Sequence, residues 1–207
     1  DTIEETSFAL DLLMSKTRPV VVTGAMRNPT LPGADGPANL LAAVGVAASP
    51  ESAGRGCVVV MNDEIHAARF VRKTHSSSPS AFRSVATGPL GWIVEGRPRI
   101  AVRPVSLGAA LDATTPIPPV ALVKIALGDD GRLLEQVVAL GFAGLVVEGF
   151  GGGHVPSALA PILGRIATDI PVVLASRAGA GEVLRQTYSH AGSERDLRVA
   201  APYAALA

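Results

Sequence analysis

The sequence predicts an α/β fold made of two α/β domains with mainly parallel sheets. Short, strongly apolar runs that are typical of buried strands alternate with segments whose apolar residues recur at helical spacing. A connection rich in Pro and Thr, residues 113–119, separates two such groups and predicts an interdomain linker. The length of 207 residues allows one large domain or two small ones. We therefore expect an N-terminal domain at 1–112 and a C-terminal domain at 120–207.

The N-terminal domain is expected to begin with a helix. Residues 3–15 carry apolar side chains on one face, and Thr2 and Glu5 have the spacing of a capping box. A second helix is predicted to begin at Asp35-Gly36-Pro37, with Asp35 as its N-cap and Pro37 in its first turn, and to run to about residue 48. Buried strands are predicted at 20–23 and 57–61, with a polar loop at 24–36. The order helix, strand, helix, strand favours parallel pairing.

The rest of this domain is less regular. Residues 62–84 are polar and rich in Ser, and no strand is predicted there. Residues 92–100 have the pattern of a hairpin that turns at Glu95-Gly96.

The C-terminal domain repeats the alternation of strands and helices. Strands are predicted at 120–125, 144–147 and 171–174, and helices at 130–140 and 156–168. The middle strand leads into the glycine-rich run Gly149 to His154.

Composition excludes several classes of protein. Lys and Arg total 18, as do Asp and Glu, so the chain creates no strong field toward nucleic acid or an anionic membrane. No apolar run reaches the ~18 residues that a membrane span needs. The apolar fraction of 48% is too high, and the charged fraction of 17% too low, for a disordered chain.

Metal and nucleotide binding are both disfavoured. Cys57 is the single cysteine, which excludes an internal disulfide and a multi-Cys metal site. The four histidines are scattered along the sequence, so surface or hydrogen-bonded roles are favoured. In the glycine-rich run, His154 stands where a dinucleotide fingerprint needs its third Gly, and no Lys-Ser/Thr pair follows. A turn with several positive φ angles is the favoured interpretation of that run.

Lys73 is a candidate general base. It lies beside the hydroxyl-bearing side chains of Thr74 and Ser76 to Ser78. A desolvated Lys next to hydroxyl groups has a depressed pKa and can accept a proton. Taken alone, an exposed structural Lys is the stronger interpretation. The serines lack the G-x-S-x-G pattern of a nucleophile elbow, so they are interpreted as loop residues.

Several segments together resemble the bacterial-type L-asparaginase family (asparaginase/glutaminase). The motifs occur in the family's order and span nearly the whole chain: Asp1 to Ser7, Val21 to Arg27, Ala34 to Leu40, Val59 to Asp63, Arg69 to His75, Phe82 with Ser84, Gly88 to Gly91, Gly149 to Gly153, and Ser176-Arg177. The resemblance implies two α/β domains, the first of them Rossmann-like. It also implies hydrolysis of the side-chain amide of asparagine through a Thr acyl-enzyme.

The resemblance assigns roles to four residues. Asp1 and Lys73 correspond to the catalytic Asp and Lys, and Asp1 also pairs with the substrate ammonium. The main chain of Ala25 lies near the leaving amide. Glu194 corresponds to the acidic residue that reaches the substrate ammonium from a neighbouring subunit. The chemistry agrees, because a Thr hydroxyl needs a base or a relay to become a nucleophile.

Part of the family pattern is missing from these 207 residues. The T-G-G-T-I segment with the nucleophilic Thr is absent, as is the second catalytic Thr that would precede Asp1. The glycine-rich run has Gly152 where secreted members have Asn, and the pattern is lost over residues 198–207. We expect the sequence to be part of a longer, active enzyme that lacks its first strands here.

Two alternatives remain open. One is the asparaginase-like subunit of a tRNA-dependent amidotransferase, although the chain shows no basic patch. The other is an inactive fragment or binding remnant. No cofactor or metal is implied, and the expected partners are L-asparagine, L-glutamine as a further substrate, and further copies of the chain in a homo-oligomer such as a homotetramer. The free Cys57 favours the cytoplasm.

Overall fold

The computed structural model describes residues 2–15, 17–104, 108, 110–193, 196–197 and 203–204, the last pair as backbone. The chain divides into two compact units, Asp1–Thr115 and Pro116–Ala207. The division lies inside the Pro- and Thr-rich connection at residues 113–119. Each unit contains helices and a sheet, so the predicted α/β fold class is confirmed.

The N-terminal unit contains two α-helices and seven strands in its described residues. They are α1 (Ile3–Leu13), β1 (Val20–Val22), α2 (Gly36–Ala48), β2 (Cys57–Met61), β3 (Glu64–Ala67), β4 (Arg72–Lys73), β5 (Phe82–Arg83), β6 (Gly91–Val94) and β7 (Arg97–Ile100). A 3₁₀ turn at Pro50–Ser52 follows α2. Five strands form a sheet in the order β1-β2-β3-β6-β7, and β4 pairs with β5 in a separate ribbon.

The sheet of this unit is mixed rather than mainly parallel. Among the described strands of this sheet, β1 and β2 alone pair in parallel, whereas β2–β3, β3–β6 and β6–β7 are antiparallel. The cause is local, because Asn62 and Asp63 form a two-residue turn with φ of 52° and 60°. Such turns join antiparallel strands. The predicted hairpin at Glu95-Gly96 has the same kind of turn, with φ of 52° and 73°.

The sheet is covered on both faces. On one face, Val58, Val60, Ile65 and Ala67 pack with Ala42, Ala43 and Val46 of α2 and with Leu90. On the other face lies a cluster that we call the site-side core: Val59, Met61, Val71, Ala81 and Phe82, with Ile3, Val22 and Met26 packed against them. Strand β2 is therefore buried throughout, as its unbroken apolar run predicts. Trp92 of β6, between β3 and β7, is 44% exposed.

The C-terminal unit has a fully parallel sheet. Its elements are β8 (Val120–Lys124), β9 (Gly144–Gly149), α3 (Ala160–Asp169), β10 (Val172–Ser176) and β11 (Tyr203–Ala204), and the strand order is β11-β10-β9-β8. Its core includes Leu134, Leu145, Val147, Leu159 and Leu163. Among the described residues of both units, no helix is long and apolar enough to cross a membrane.

The helix predicted at residues 130–140 is wrong. The segment contains only a 3₁₀ turn at Leu134–Gln136 among other turns. Gly131 has φ of 80°, which is outside the helical region, and its amide is bound by the Asp129 side chain at 2.9 Å. Burial of Leu134 and Val137 then follows the three-residue spacing of a 3₁₀ turn. The last predicted helix does form, as a 3₁₀ turn at Ser157–Leu159 followed by α3.

The capping box predicted at Thr2 is also wrong. Thr2 is the N-cap residue of α1, but its side chain makes no capping hydrogen bond, and its φ of −107° and ψ of 34° lie outside the extended region typical of such caps. Its hydroxyl instead lies 3.2 Å from the Thr6 hydroxyl.

Candidate active site

Two loops meet at one edge of the N-terminal sheet. Residues 23–27 follow β1, and Asn62-Asp63 follow β2. Because β1 and β2 are parallel, the two loops leave the sheet at the same edge. In open α/β sheets, ligands bind outside the carboxyl ends of parallel strands. This edge is therefore where the fold favours a binding site.

The loop after β1 is held by the carboxylate of Asp35. The amide of Met26 donates to Asp35 Oδ2 at 2.9 Å and to Oδ1 at 3.1 Å, and the amide of Arg27 donates to Oδ1 at 2.9 Å. Asp35 was predicted to cap α2, but it makes no capping hydrogen bond to that helix. Asp35 is therefore the N-cap residue by position, as predicted, but its carboxylate accepts from the loop amides instead of the helix amides.

Asn39 joins the two loops. It is buried in α2, its Nδ2 donates to the carbonyl of Gly24 at 3.0 Å, and its Oδ1 accepts from the amide of Asn62 at 2.9 Å. Nδ2 also lies 3.1 Å from Asp35 Oδ2. Ala25 is exposed between Gly24 and Met26, both of which are held in this way. The main chain of Ala25, predicted to lie near the leaving amide, is thus fixed from both sides.

Lys73 lies on the ribbon formed by β4 and β5. It is exposed, pairs with Phe82 across the ribbon, and its Nζ lies 5.9 Å from the centre of the Phe82 ring. The Lys73 amide donates to Glu4 Oε1 at 2.9 Å, which brings the first turn of α1 beside β4. Asp1, the other predicted catalytic residue, lies outside the described residues.

Hydrogen bonding changes the acidity of Asp35. Its partial burial raises the pKa of the carboxyl, while the amides of Met26 and Arg27 and the side chain of Asn39 lower it. The net pKa is below the usual value, because the charged form is the one that accepts these bonds. Asp35 therefore remains a carboxylate at neutral pH.

His66 makes the stability of the N-terminal unit depend on pH. Burial and, to a lesser degree, the charge of Arg83 lower the pKa of His66 from 6.5 to about 4. The unfolded chain takes up a proton near pH 6.5, whereas the folded chain does so only near pH 4. As the pH is lowered from 6.5 to about 4, the free energy of unfolding should therefore decrease, by up to about 3 kcal/mol in total.

We expect His66→Asn, which cannot titrate, to remove this part of the pH dependence. Urea unfolding of the wild type and the variant at neutral pH and at pH ~4.5 measures this difference. An equal loss of stability in both proteins would contradict the assignment to His66.

The glycine-rich run of the C-terminal unit is a turn, as interpreted from the sequence. Phe150 and His154 form an isolated bridge, and Gly151 and Gly153 have φ of 42° and 101°. The hydroxyl of Ser176 at the end of β10 donates to the carbonyl of Gly151. These contacts tie the turn to the end of its neighbouring strand.

Residues 188–193 form a second loop in this unit, leading to Glu194. The Ser193 hydroxyl donates to the carbonyl of Tyr188 at 3.1 Å, and the amide of Val155 donates to the carbonyl of Gly192 at 2.9 Å. The Gly192 amide donates to Asp196 Oδ2 at 2.8 Å. Glu194 itself, predicted to reach the substrate ammonium, lies outside the described residues.

Glycine is required at position 192 for two reasons, its left-handed backbone conformation and the close approach of a neighbouring backbone atom. Its φ is 81°, and a Cβ there would lie 2.3 Å from the carbonyl oxygen of Val155. We expect Gly192→Ala to destabilise the C-terminal unit by about 2–4 kcal/mol, combining left-handed strain with overpacking. Gly179 has the same φ with nothing within 4 Å of its Cβ position. Gly179→Ala should therefore cost only about 1 kcal/mol in the same urea titration, and equal losses would contradict the steric explanation.

The histidines are less scattered than the sequence suggests. His154 lies edge-on to Tyr188 and His190, with ring centres 5.1 and 5.4 Å apart. The buried His66 lies in the N-terminal unit. Across the described residues, no three or more His, Cys, Asp or Glu side chains are arranged to hold a metal ion.

The fold and the site define a class. The chain is a two-unit α/β protein whose N-terminal unit holds a backbone loop, anchored by the Asp35 carboxylate, at the carboxyl edge of parallel strands, and an exposed lysine on a neighbouring ribbon. This arrangement suits a small polar substrate.

Comparison with known proteins is more specific. Residues 1–106 match the family model "Asparaginase, N-terminal", and residues 119–204 match "Glutaminase/Asparaginase C-terminal domain". The chain therefore belongs to the asparaginase family, as the sequence motifs indicated.

Individual relatives agree. The L-asparaginase of Bacillus licheniformis is 38% identical over 198 residues, which cover 95% of this chain and 61% of the relative. L-asparaginase 2 of Escherichia coli is 37% identical over 187 residues, or 89% of this chain and 55% of the relative. The crystal structure of the "probable cytoplasmic L-asparaginase" of Campylobacter jejuni matches with a TM-score of 0.84 and 34% identity, over 90% of this chain and 63% of that one. The chain thus spans about three fifths of the length of these relatives.

Proposed function

We propose that the protein hydrolyses the side-chain amide of L-asparagine to L-aspartate and ammonia. The observation that carries this proposal is the match of 95% of the chain to a protein named L-asparaginase. The site geometry supports it, because the family's lysine and Ala25 loop stand on ordered elements of one compact unit.

The chemistry runs in two steps. A Thr hydroxyl attacks the amide carbon and loses its proton, an ester forms, the C–N bond breaks, and ammonia leaves with the added proton. Water then attacks the ester, releasing aspartate and restoring the Thr.

Each predicted site residue has a role in these steps. Lys73 and Asp1 organise the proton relay from the Thr, and Asp1 also binds the substrate ammonium. The main chain of Ala25 holds the leaving amide.

The nucleophilic Thr is proposed to lie in sequence that precedes Asp1. Support comes from the family's T-G-G-T-I motif, which does not occur in these 207 residues. The test is ammonia release from L-asparagine by the 207-residue chain and by the protein expressed from its complete reading frame. Activity only in the latter is expected, and clear turnover by the 207 residues would contradict this placement.

The same assay addresses the amidotransferase alternative. A hydrolase should turn over free L-asparagine without any partner protein. Activity that appears only with a partner protein and tRNA would overturn the proposal.

The active protein is proposed to be a homo-oligomer in which Glu194 of one subunit reaches the substrate ammonium at a neighbouring site. In the complete protein, Glu194→Gln should then raise the KM for L-asparagine more than it lowers kcat, because it removes a charge-assisted contact to substrate. Light scattering on a sizing column measures the oligomeric state, and an active monomer would contradict the shared site.

Two further assignments are carried as proposals. The domains are taken as 1–112 and 120–207 with a linker between them, in keeping with the division of the chain between Thr115 and Pro116.

A cytoplasmic location is supported by the unpaired, buried Cys57 and by the name of the Campylobacter jejuni relative.

A further inference from the structure

A fully buried histidine lies on the site-side face of the N-terminal sheet. His66 of β3 pairs in register with Val59 of β2, so both side chains point to the same face. Val59 belongs to the site-side core, together with Phe82 of the ribbon. His66 has 0% exposure. Burying an imidazole is costly unless its polar atoms find partners, so its contacts need an explanation.

The His66 ring lies between a carboxylate and a hydroxyl. Its Nδ1 lies 3.0 Å from Ser84 Oγ, and its Nε2 lies 3.4 Å from Glu64 Oε2, although that second contact does not have hydrogen-bond geometry. The nearby carboxylate favours the tautomer with its proton on Nε2, which leaves Nδ1 to accept from the Ser84 hydroxyl. Burial keeps the ring neutral by lowering the pKa of His66 to about 4.

A carboxylate, a histidine and a serine in this sequence of contacts resemble the groups that activate a nucleophilic serine, but here the histidine and the serine are inaccessible to substrate. Ser84 is 5% exposed and His66 is wholly buried, so neither can contact a reacting amide. The hydrogen bond must act through what it holds in place.

Ser84 directly follows β5, whose partner strand carries Lys73. Phe82 of β5 pairs with Lys73, and both the amide and the hydroxyl of Thr74 donate to the carbonyl of Ala81 at 2.8 Å. The Ser84 side chain thus fastens the end of this ribbon to the central sheet, while the ribbon's other strand holds Lys73.

We infer that the hydrogen bond between His66 and Ser84 positions Lys73 for catalysis, so that His66 and Ser84 are positioning residues of the reaction. The catalytic half of this inference rests on the proposed function. The mechanical half, that the bond holds the β4–β5 ribbon on the sheet, does not.

The experiment is Ser84→Ala in the protein expressed from its complete reading frame. We expect kcat for L-asparagine to fall about 10- to 100-fold with KM nearly unchanged, because small misplacement of a catalytic group costs this much. The pH profile of kcat should also change shape. Hydrogen–deuterium exchange of residues 72–75 should become faster, because the ribbon loses its attachment.

Three variants control for folding and for side-chain loss. Ser84→Thr keeps the hydroxyl, and His66→Asn keeps a polar atom near the position of Nδ1, so both should retain more activity than Ser84→Ala. Ser52 is another buried serine of the same unit, 1% exposed, whose hydroxyl has no hydrogen-bond partner among the residues that the structure describes. Ser52→Ala removes an equal group away from the ribbon and should leave kcat and exchange at residues 72–75 unchanged.

The outcomes separate this inference from the proposed function. The inference would be overturned if Ser84→Ala had the same kcat, the same pH profile and the same hydrogen–deuterium exchange as the wild type. It would also be overturned if the loss of activity in Ser84→Ala were fully explained by a smaller fraction of folded protein. If the wild type hydrolyses no asparagine, the proposed function fails, and exchange then decides the mechanical half. Unchanged exchange in Ser84→Ala would overturn that half as well.

Discussion

Replacing Lys73 by Met should lower asparagine hydrolysis by the complete protein about 10²- to 10⁴-fold, the range that positioned proton transfer contributes to enzymes. Lys73 is exposed on β4, and its backbone rather than its side chain makes the hydrogen bond to Glu4. The fold should therefore survive the change. The measurement is kcat/KM from ammonia release, with the melting temperature recorded on the same sample.

Two further variants sharpen this result. Lys73→Arg keeps the positive charge but cannot give up its proton at accessible pH, so we expect nearly the same loss as with Met. Arg72→Met removes a neighbouring exposed cation of the same strand and should leave turnover unchanged. Near-normal turnover by Lys73→Met, or an equal loss in Arg72→Met, would contradict a role for Lys73 in proton transfer.

Replacing Asp35 by Ala should destabilise the N-terminal unit by about 2–4 kcal/mol and abolish hydrolysis. The amides of Met26 and Arg27 would lose a charged acceptor, and a hydrogen bond to a charged group contributes about 1.5–3 kcal/mol. The loop that carries Ala25 would lose its anchor. Urea unfolding and ammonia release measure the two effects.

Asp35→Asn should be intermediate. Its single side-chain oxygen can still accept from the loop amides, but its new amino group would face Nδ2 of Asn39. Glu95→Gln, in the exposed turn between β6 and β7, is the control for loss of a carboxylate in the same unit and should change neither property. If Asp35→Ala had the same midpoint urea concentration of unfolding as the wild type, the anchoring role of Asp35 would be contradicted.

The pH dependence of Asp35 has a definite sign. Its folded pKa is lower than its unfolded value, so its contribution to stability is fully present above the unfolded pKa, 3.8, and is lost as the pH falls through the folded pKa. Wild type and Asp35→Asn should therefore differ most in stability near neutral pH and converge in strong acid.

Elements with clear periodicity could be predicted from sequence. The strand Cys57–Met61 is an unbroken apolar run, and α2 begins at Gly36-Pro37 and ends at Ala48 as predicted. Strand β3 was missed, because Glu64 and His66 make it look polar although His66 is buried. The resulting antiparallel pairing depends on positive φ angles at Asn62 and Asp63, which their sequence permits but does not require.

The candidate site could be predicted only in part. The family motifs identified Lys73 and Ala25. Asp35 was recognised as the residue that begins α2, but its side chain was expected to bind the helix amides, whereas it binds the loop amides. A short acidic side chain before a helix suits both a cap and a loop anchor, so its type alone does not decide. The links from Asn39 to Gly24 and Asn62 span 15 and 23 residues and leave no local pattern. Glu4 was missed for the same reason.

The half-exposed Trp92 of β6 in the N-terminal sheet is also a built-in spectroscopic reporter. It is the single tryptophan in these 207 residues, whereas both tyrosines, Tyr188 and Tyr203, belong to the C-terminal unit. Selective excitation of the indole therefore follows one unit, and tyrosine emission follows the other. Comparing the two emission curves in a single sample shows directly whether the units unfold together, without any label or added chromophore.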